Sequence, residues 1–150
     1  MLSTMELEEY IKNEVLSRLG EDADMGDIYF QEGNDNCWPG DYVFTKDEKY
    51  HFLSVGDRGG VTKDLIIPRK EDVLYRVVSL VAYRIASEYA AMCRRTQENS
   101  GETSIDGRRK LFEKKIEICS LFGEEFKARK CLEIEEILER CPYNDDLDSE

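Results

Sequence analysis

DYVFTKDEKYHFLSVGDRGGVTKDLIIP, residues 41–68, is the stretch that decides the fold. From Asp41 the period changes to two, and Tyr42–Thr45 and Tyr50–Val55 read as strand-like runs of aromatic and β-branched residues that suit a pleated strand. Lys46, Asp47, Glu48 and Lys49 between them read as a four-residue polar hairpin turn. Gly56-Asp57-Arg58-Gly59-Gly60 reads as a second turn. Val61–Ile67 then forms a third strand, which Pro68 closes. The pattern spells a three-stranded antiparallel meander, enough strands for stability only if one face is covered.

The cover must come from the flanking segments, and both flanks are helical. On the N-terminal side Ser3 and Glu6 form a capping box. Leu7, Ile11, Val15 and Leu19 follow at fourfold spacing, widened by Tyr10 and Leu16, and Gly20 stops the helix. Residues 21–40 have no helical period and read as an acidic loop, interrupted by a short extended piece at Ile28–Phe30. On the C-terminal side a long helix starts near Glu71-Asp72, whose charges suit a helix N-terminus. It presents Val73, Leu74, Val77, Val78, Val81, Ile85, Tyr89 and Met92, and Asn99-Ser100-Gly101 ends it. A third helix over 108–122 turns Leu111, Phe112, Ile116, Cys119 and Phe122 inward, and Gly123 breaks it. A fourth over 124–140 turns Phe126, Cys131, Leu132, Ile134, Ile137 and Leu138 inward. The acidic tail 145–150 is expected to fray. The fold class is therefore α+β: a meander packed against a mostly C-terminal set of about four helices, in one domain spanning 1–150.

Composition narrows the function classes. The 150 residues are 41% hydrophobic, too many for a disordered chain, and no apolar run is long enough to span a membrane. The first ten residues carry Glu where a secretory leader needs Lys or Arg, and they lack its apolar core, so nothing directs export. Five cysteines at irregular spacing and a single histidine give no paired ligands for zinc, and they read as reduced thiols of a cytoplasmic protein. The net charge is −12, unevenly spread: residues 1–50 hold 4 basic and 13 acidic groups. Such a field repels nucleic acid and anionic lipid and speeds encounter with basic partners.

No catalytic constellation emerges, and no metal or cofactor is expected. His51 lies within a strand run, VGDRGGVTK lacks the spacing of a phosphate loop and precedes a strand, and the Glu pairs sit on helix faces beside Lys or Arg. The aromatic group Trp38, Tyr42, Phe44, Tyr50 and Phe52, set among Asp35, Asp41, Asp47 and Glu48, is more informative. Half of it is expected to pack on the long helix. The other half is expected to face outward, as a protein-binding patch requires. Tyr42 and Phe44 share one face of their strand, as do Tyr50 and Phe52 on theirs, and the sequence leaves open which face is buried. The candidate partner-binding residues are Asp35, Trp38, Asp41, Tyr42, Phe44, Asp47, Glu48, Tyr50 and Arg58. Two other readings stand beside this one. His51, Arg58 and Asp57 would line a small-ligand or enzymatic pocket by the hairpin, or a groove between the last two helices would serve an adaptor.

Three segments carry a family resemblance: YVFTKDEKYHFLSVGDRGG, DVLYRVVSLVAYRIASEYA and RRKLFEKKIEICSLFGEEFKARKCLEIEEILERCPYND. With the Asp57-Arg58-Gly59 turn and the Pro142-Tyr143-Asn144 ending, the chain resembles immunity protein family 63 of bacterial polymorphic-toxin systems. The resemblance covers most of residues 40–145. The five cysteines and the loop 21–40 depart from the family pattern. It implies a cytoplasmic, non-catalytic protein that binds the C-terminal domain of a cognate toxin, with no nucleic-acid or membrane partner and no cofactor. The oligomeric state stays open.

Overall fold

The structure, a computed structural model, describes residues 1–21, 23–100 and 106–144, with helical backbone alone at 98–100. The expected stop at Gly101 and the tail 145–150 lie outside the described residues. The chain forms two compact units, Met1–Val78 and Ser79–Glu150.

The first unit is built on the meander. Helix α1 (Thr4–Leu19) starts with the expected capping box, Ser3 and Glu6 satisfying each other's backbone N–H groups. Strands β1 (Ile28–Tyr29), β2 (Gly40–Lys46), β3 (Lys49–Val55) and β4 (Val61–Ile67) form one sheet in that order. The sequence pattern located β2, β3 and β4, which pair antiparallel. It missed β1 as a strand: this two-residue piece pairs parallel to β2 through Ile28–Asp41 and Tyr29–Tyr42. Two residues cannot show a period, so only the extended character was readable. The sheet is therefore four-stranded and mixed.

The hairpin turn is also tighter than expected. Lys46 pairs with Lys49, leaving Asp47 and Glu48 as a two-residue turn with φ of 53° and 58°. Turns that match strand twist need φ > 0 at both positions, normally supplied by Asn-Gly. Between β3 and β4 the register slips by one at Ser54/Val55, so that Val55 meets Val61 and Thr62 is the extra residue of a bulge.

Both faces of the sheet are covered. Tyr42, Phe44, Leu53 and Val55 cluster on one face under Tyr29 and Cys37 of the loop before β2. The opposite face carries Val43, Thr45, Tyr50, Phe52 and Ile67. Here the N-terminal segment is tied down: the Leu2 N–H donates to the Tyr50 hydroxyl, and the Thr45 N–H donates to Thr4 Oγ1. Leu7, Ile11 and Val15 of α1 are buried as their spacing predicts, whereas Leu16 is exposed.

Helix α2 (Lys70–Ser100) continues into the second unit, which also holds α3 (Arg108–Ser120) and α4 (Glu124–Arg140). In α3 the buried set is Phe112, Ile118 and Cys119, and in α4 it is Phe126, Lys130 and Ile134. Leu132, expected inward, is 60% exposed, and Lys130 occupies the inward position in its place. Phe126, Lys130 and Ile134 are spaced by four, the spacing that keeps residues on one helix face. Burial of Lys130 is compensated because its Nζ reaches Ser79 Oγ at 3.2 Å and Glu133 at 2.8 Å. Burial and the charge of Lys130 together push the Lys115 amine down.

The chain leaves α4 through Pro142-Tyr143-Asn144, which is clasped to the start of α3. Asp106 accepts from the Arg108 backbone and guanidinium and from the Asn144 N–H. Arg108 also donates to the carbonyls of Cys141 and Pro142, and the Arg109 guanidinium lies 4.0 Å from the centre of the Tyr143 ring. The family-like ending thus has a mechanical role within this unit.

Candidate functional site

The candidate partner-binding residues separate into three places. Tyr42, Phe44 and Tyr50 are core residues, exposed by 2%, 4% and 4%. They offer no side-chain surface to a partner in this structure. The expectation that half of the aromatic group faces outward fails because the sheet is covered on both faces, so each i, i+2 pair finds a buried side.

Asp47 and Glu48 are exposed at the hairpin tip. Residues 34–39 of the loop before β2 and the Gly56–Gly60 turn sit at the other end of the sheet, about 20 Å away along the seven residues of β2, while Glu32 of the same loop pairs with Lys46 beside the hairpin. That end gathers Asp35, Trp38, Asp41 and Arg58. Asp35 ties the loop to the turn: its carbonyl accepts the Gly60 N–H and its Oδ1 accepts the Val61 N–H at 2.9 Å. Asp41 accepts the Ser54 hydroxyl at 2.6 Å. Arg58 is exposed in the turn.

Trp38 is the exception among the aromatics, with 82% of its surface exposed. The backbone that carries it is nevertheless fixed. The Tyr42 hydroxyl donates to the Trp38 carbonyl at 2.7 Å, and burial pushes that phenol's pKa up. Cys37 Sγ accepts the Asn34 N–H at 3.3 Å, and Asn34 Oδ1 accepts the Asn36 N–H. Two glycines allow the close fit. A Cβ on Gly33 would lie 2.7 Å from the Tyr42 ring, and Gly40, with φ of +148°, would place one 2.6 Å from the Asp27 carbonyl oxygen. Around this post the chain is acidic: residues 21–41 contain seven Asp and Glu and no Lys or Arg. The loop thus carries one large exposed aromatic on a fixed backbone, in a segment whose charged residues are all acidic.

The pocket reading finds no support in the geometry. His51 pairs with Phe44 and Ile66, and its ring stacks on Phe44 at 4.8 Å. Its Nδ1 lies 3.6 Å from Asp64 Oδ1, and its Nε2 lies 3.3 Å from the Lys46 carbonyl oxygen. Asp57 and Arg58 lie beyond Val55, more than about 13 Å further along β3, and do not converge on His51. Among the described residues, no group of three or more His, Cys, Asp or Glu is placed to hold a metal. Among the described residues, no helix is long and apolar enough to cross a membrane. The five cysteines are free thiols.

Sequence reasoning missed two features here. Cys37 is half-buried and shapes the Trp38 loop, but a lone cysteine in an irregular segment carries no spacing signal. Ile66, 57% exposed on β4 beside His51, was read simply as part of a strand. The Lys63-Asp64 pair, charged on both faces of a three-strand run, was the available sign that β4 is an edge.

A family model described as Immunity protein 63 matches residues 46–136, more than half of the chain. No curated protein matches the chain, and no solved structure does.

Proposed function

The chain belongs to the Immunity protein 63 family, and on that premise we propose that it protects its producer by binding and neutralising the C-terminal domain of a cognate toxin in the cytoplasm. It acts by occupancy, without chemistry of its own. The observation that carries this reading is Trp38, exposed on a hydrogen-bonded loop within a stretch of seven carboxylates and no cation. An exposed tryptophan on a fixed backbone loses little entropy on binding and contributes a large contact area. The carboxylates steer a basic partner and raise the association rate rather than the final affinity.

The contact surface in this proposal is the loop end of the sheet, with Trp38 as anchor and Asp35, Asp41 and Arg58 around it. Asp47 and Glu48 act from the other end of the sheet through the long-range field alone. Tyr42 supports the surface from beneath through its hydroxyl on the Trp38 carbonyl, and Phe44 and Tyr50 stay in the core.

The test is to mix the protein with the C-terminal domain of the exported protein encoded beside it and follow association by stopped flow from 50 to 500 mM salt. The expected result is binding whose association rate falls at least about tenfold over that range while the dissociation rate changes little. Absence of binding, or rates indifferent to salt, would refute the reading.

A further inference from the structure

The two edges of the sheet are unequal. β1 closes one side with only two residues, whereas β4 leaves seven on the other. The hydrogen-bond direction along β4 follows from the hairpin. Lys46 and Lys49 close a two-residue turn, so they form a bonded pair, and bonded pairs then alternate along the ladder. Lys49, His51, Leu53 and Val55 therefore bond to β2, and Tyr50, Phe52 and Ser54 bond to β4. The partners of the latter three are Ile67, Leu65 and Lys63. Asp64 and Ile66 remain, and their N–H and C=O groups point away from the sheet. Among the described residues, the backbone bonds outside helices and strand pairs include none from residues 62–67. The side chains of Asp64 and Ile66 share the face of His51, and both are exposed.

We propose that β4 receives an extended segment of the toxin domain, which bonds to the Asp64 and Ile66 backbone and extends the sheet to five strands. This rests on the immunity reading and adds a mode of recognition to it. An open ladder of paired donors and acceptors recognises another backbone in extended form, and side-chain pockets on alternate positions add selectivity. The side chains fix the kind of segment: a cationic residue beside Asp64 and an apolar one beside Ile66.

A second copy of this chain is the poorer occupant. Faces match in an antiparallel self-pairing only when the paired residue numbers share parity. The register that uses the whole of β4 then sets Asp64 against Asp64. The net charge of −12 adds repulsion between copies. The bulge at Thr62 and the charges at 63 and 64 are devices that keep an edge from pairing with its own kind.

The experiment is residue-resolved amide exchange by NMR on the full chain, alone and with the C-terminal domain of the exported protein encoded beside it. In the free protein, the amides of Asp64 and Ile66 exchange about tenfold or more faster than those of Leu65 and Ile67. In the complex they slow by roughly a hundredfold. In parallel, Ile66→Pro removes one outward N–H without touching the bonds to β3, and it lowers affinity about a hundredfold, while Ile66→Ala lowers it less than about fivefold. If Ile66→Pro fails to fold, the exchange data on the wild-type chain decide alone. Binding that leaves both amides unprotected overturns the edge proposal and leaves the immunity reading intact. Protection that grows with protein concentration in the absence of toxin assigns the edge to a second copy and overturns it as well. Absence of any complex overturns both.

Discussion

Two irregular segments of this protein are secured in the same manner and end in opposite ways. The loop before β2 and the exit from α4 both depend on an aspartate that accepts backbone N–H groups. Asp35 binds the Gly56–Gly60 turn and Asp106 binds Asn144. Both segments also carry a large aromatic. Tyr143 is folded under the Arg109 guanidinium and tilts against Phe112 at 6.3 Å. Among the described residues no ring or guanidinium is placed against Trp38, which stands 82% exposed. Pinning alone therefore says nothing about function. What separates a structural clasp from a recognition post is whether the fixed segment spends its aromatic on the protein itself.

Variants on each side can break that distinction. The largest effect belongs to Trp38→Ala, which should weaken toxin binding about a hundredfold, the magnitude of an interface hot spot, while the melting temperature moves by less than about 1 °C. Titration calorimetry and thermal melts read the two quantities. A large loss of stability, or an unchanged affinity, would place Trp38 with Tyr143 as a structural residue.

Asp106→Asn gives the reverse pattern. Hydrogen bonds from the Arg108 guanidinium, followed by the Asn144 N–H, hold the Asp106 carboxyl far below the usual carboxylate range. Its contribution to stability is complete above the unfolded value of about 3.9 and is lost as pH falls below it. The variant should lose about 2 kcal/mol at pH 7, a fall of roughly 6 °C in melting temperature, with toxin affinity unchanged. Its melting temperature should also respond less to acid between about pH 4 and pH 2 than that of the wild type. A hundredfold affinity loss in Asp106→Asn would mean that the clasp supports the binding surface.

The smallest effect is a gain. Glu48 sits at φ 58°, a left-handed conformation that costs a non-glycine residue about 1 kcal/mol. Glu48→Gly should therefore stabilise the chain by about 0.5–1 kcal/mol and change affinity by less than about threefold, since the hairpin tip lies about 20 Å from Trp38. If binding collapses instead, the tip belongs to the contact surface together with the loop end and the β4 edge.

Much of the fold was legible because it rests on period and punctuation. Period two gave β2, β3 and β4, fourfold spacing gave α1, and Ser3 with Glu6 gave its start. β1 was not legible, because it exists only through its pairing with Asp41 and Tyr42. The inward place of Lys130 was not legible for a related reason. Its polarity gives no sign of burial, but its position on the Phe126–Ile134 stripe and the partners Ser79 and Glu133 hold it inside. The site was legible in residue type more than in place. Asp35, Trp38, Asp41 and Arg58 do gather at one end, yet the aromatics of β2 and β3 are buried. A strand shows which residues share a face, not whether a loop of 20 residues folds back to cover it.

Trp38 is the only tryptophan in the chain, and it stands in water. The protein therefore carries a built-in optical reporter at the point proposed for contact. Its emission in the free state should be that of a solvated indole, and any partner that seats on it should shift that emission to the blue. Against a partner without tryptophan, complex formation becomes visible without a label, in real time, from the residue whose role is in question.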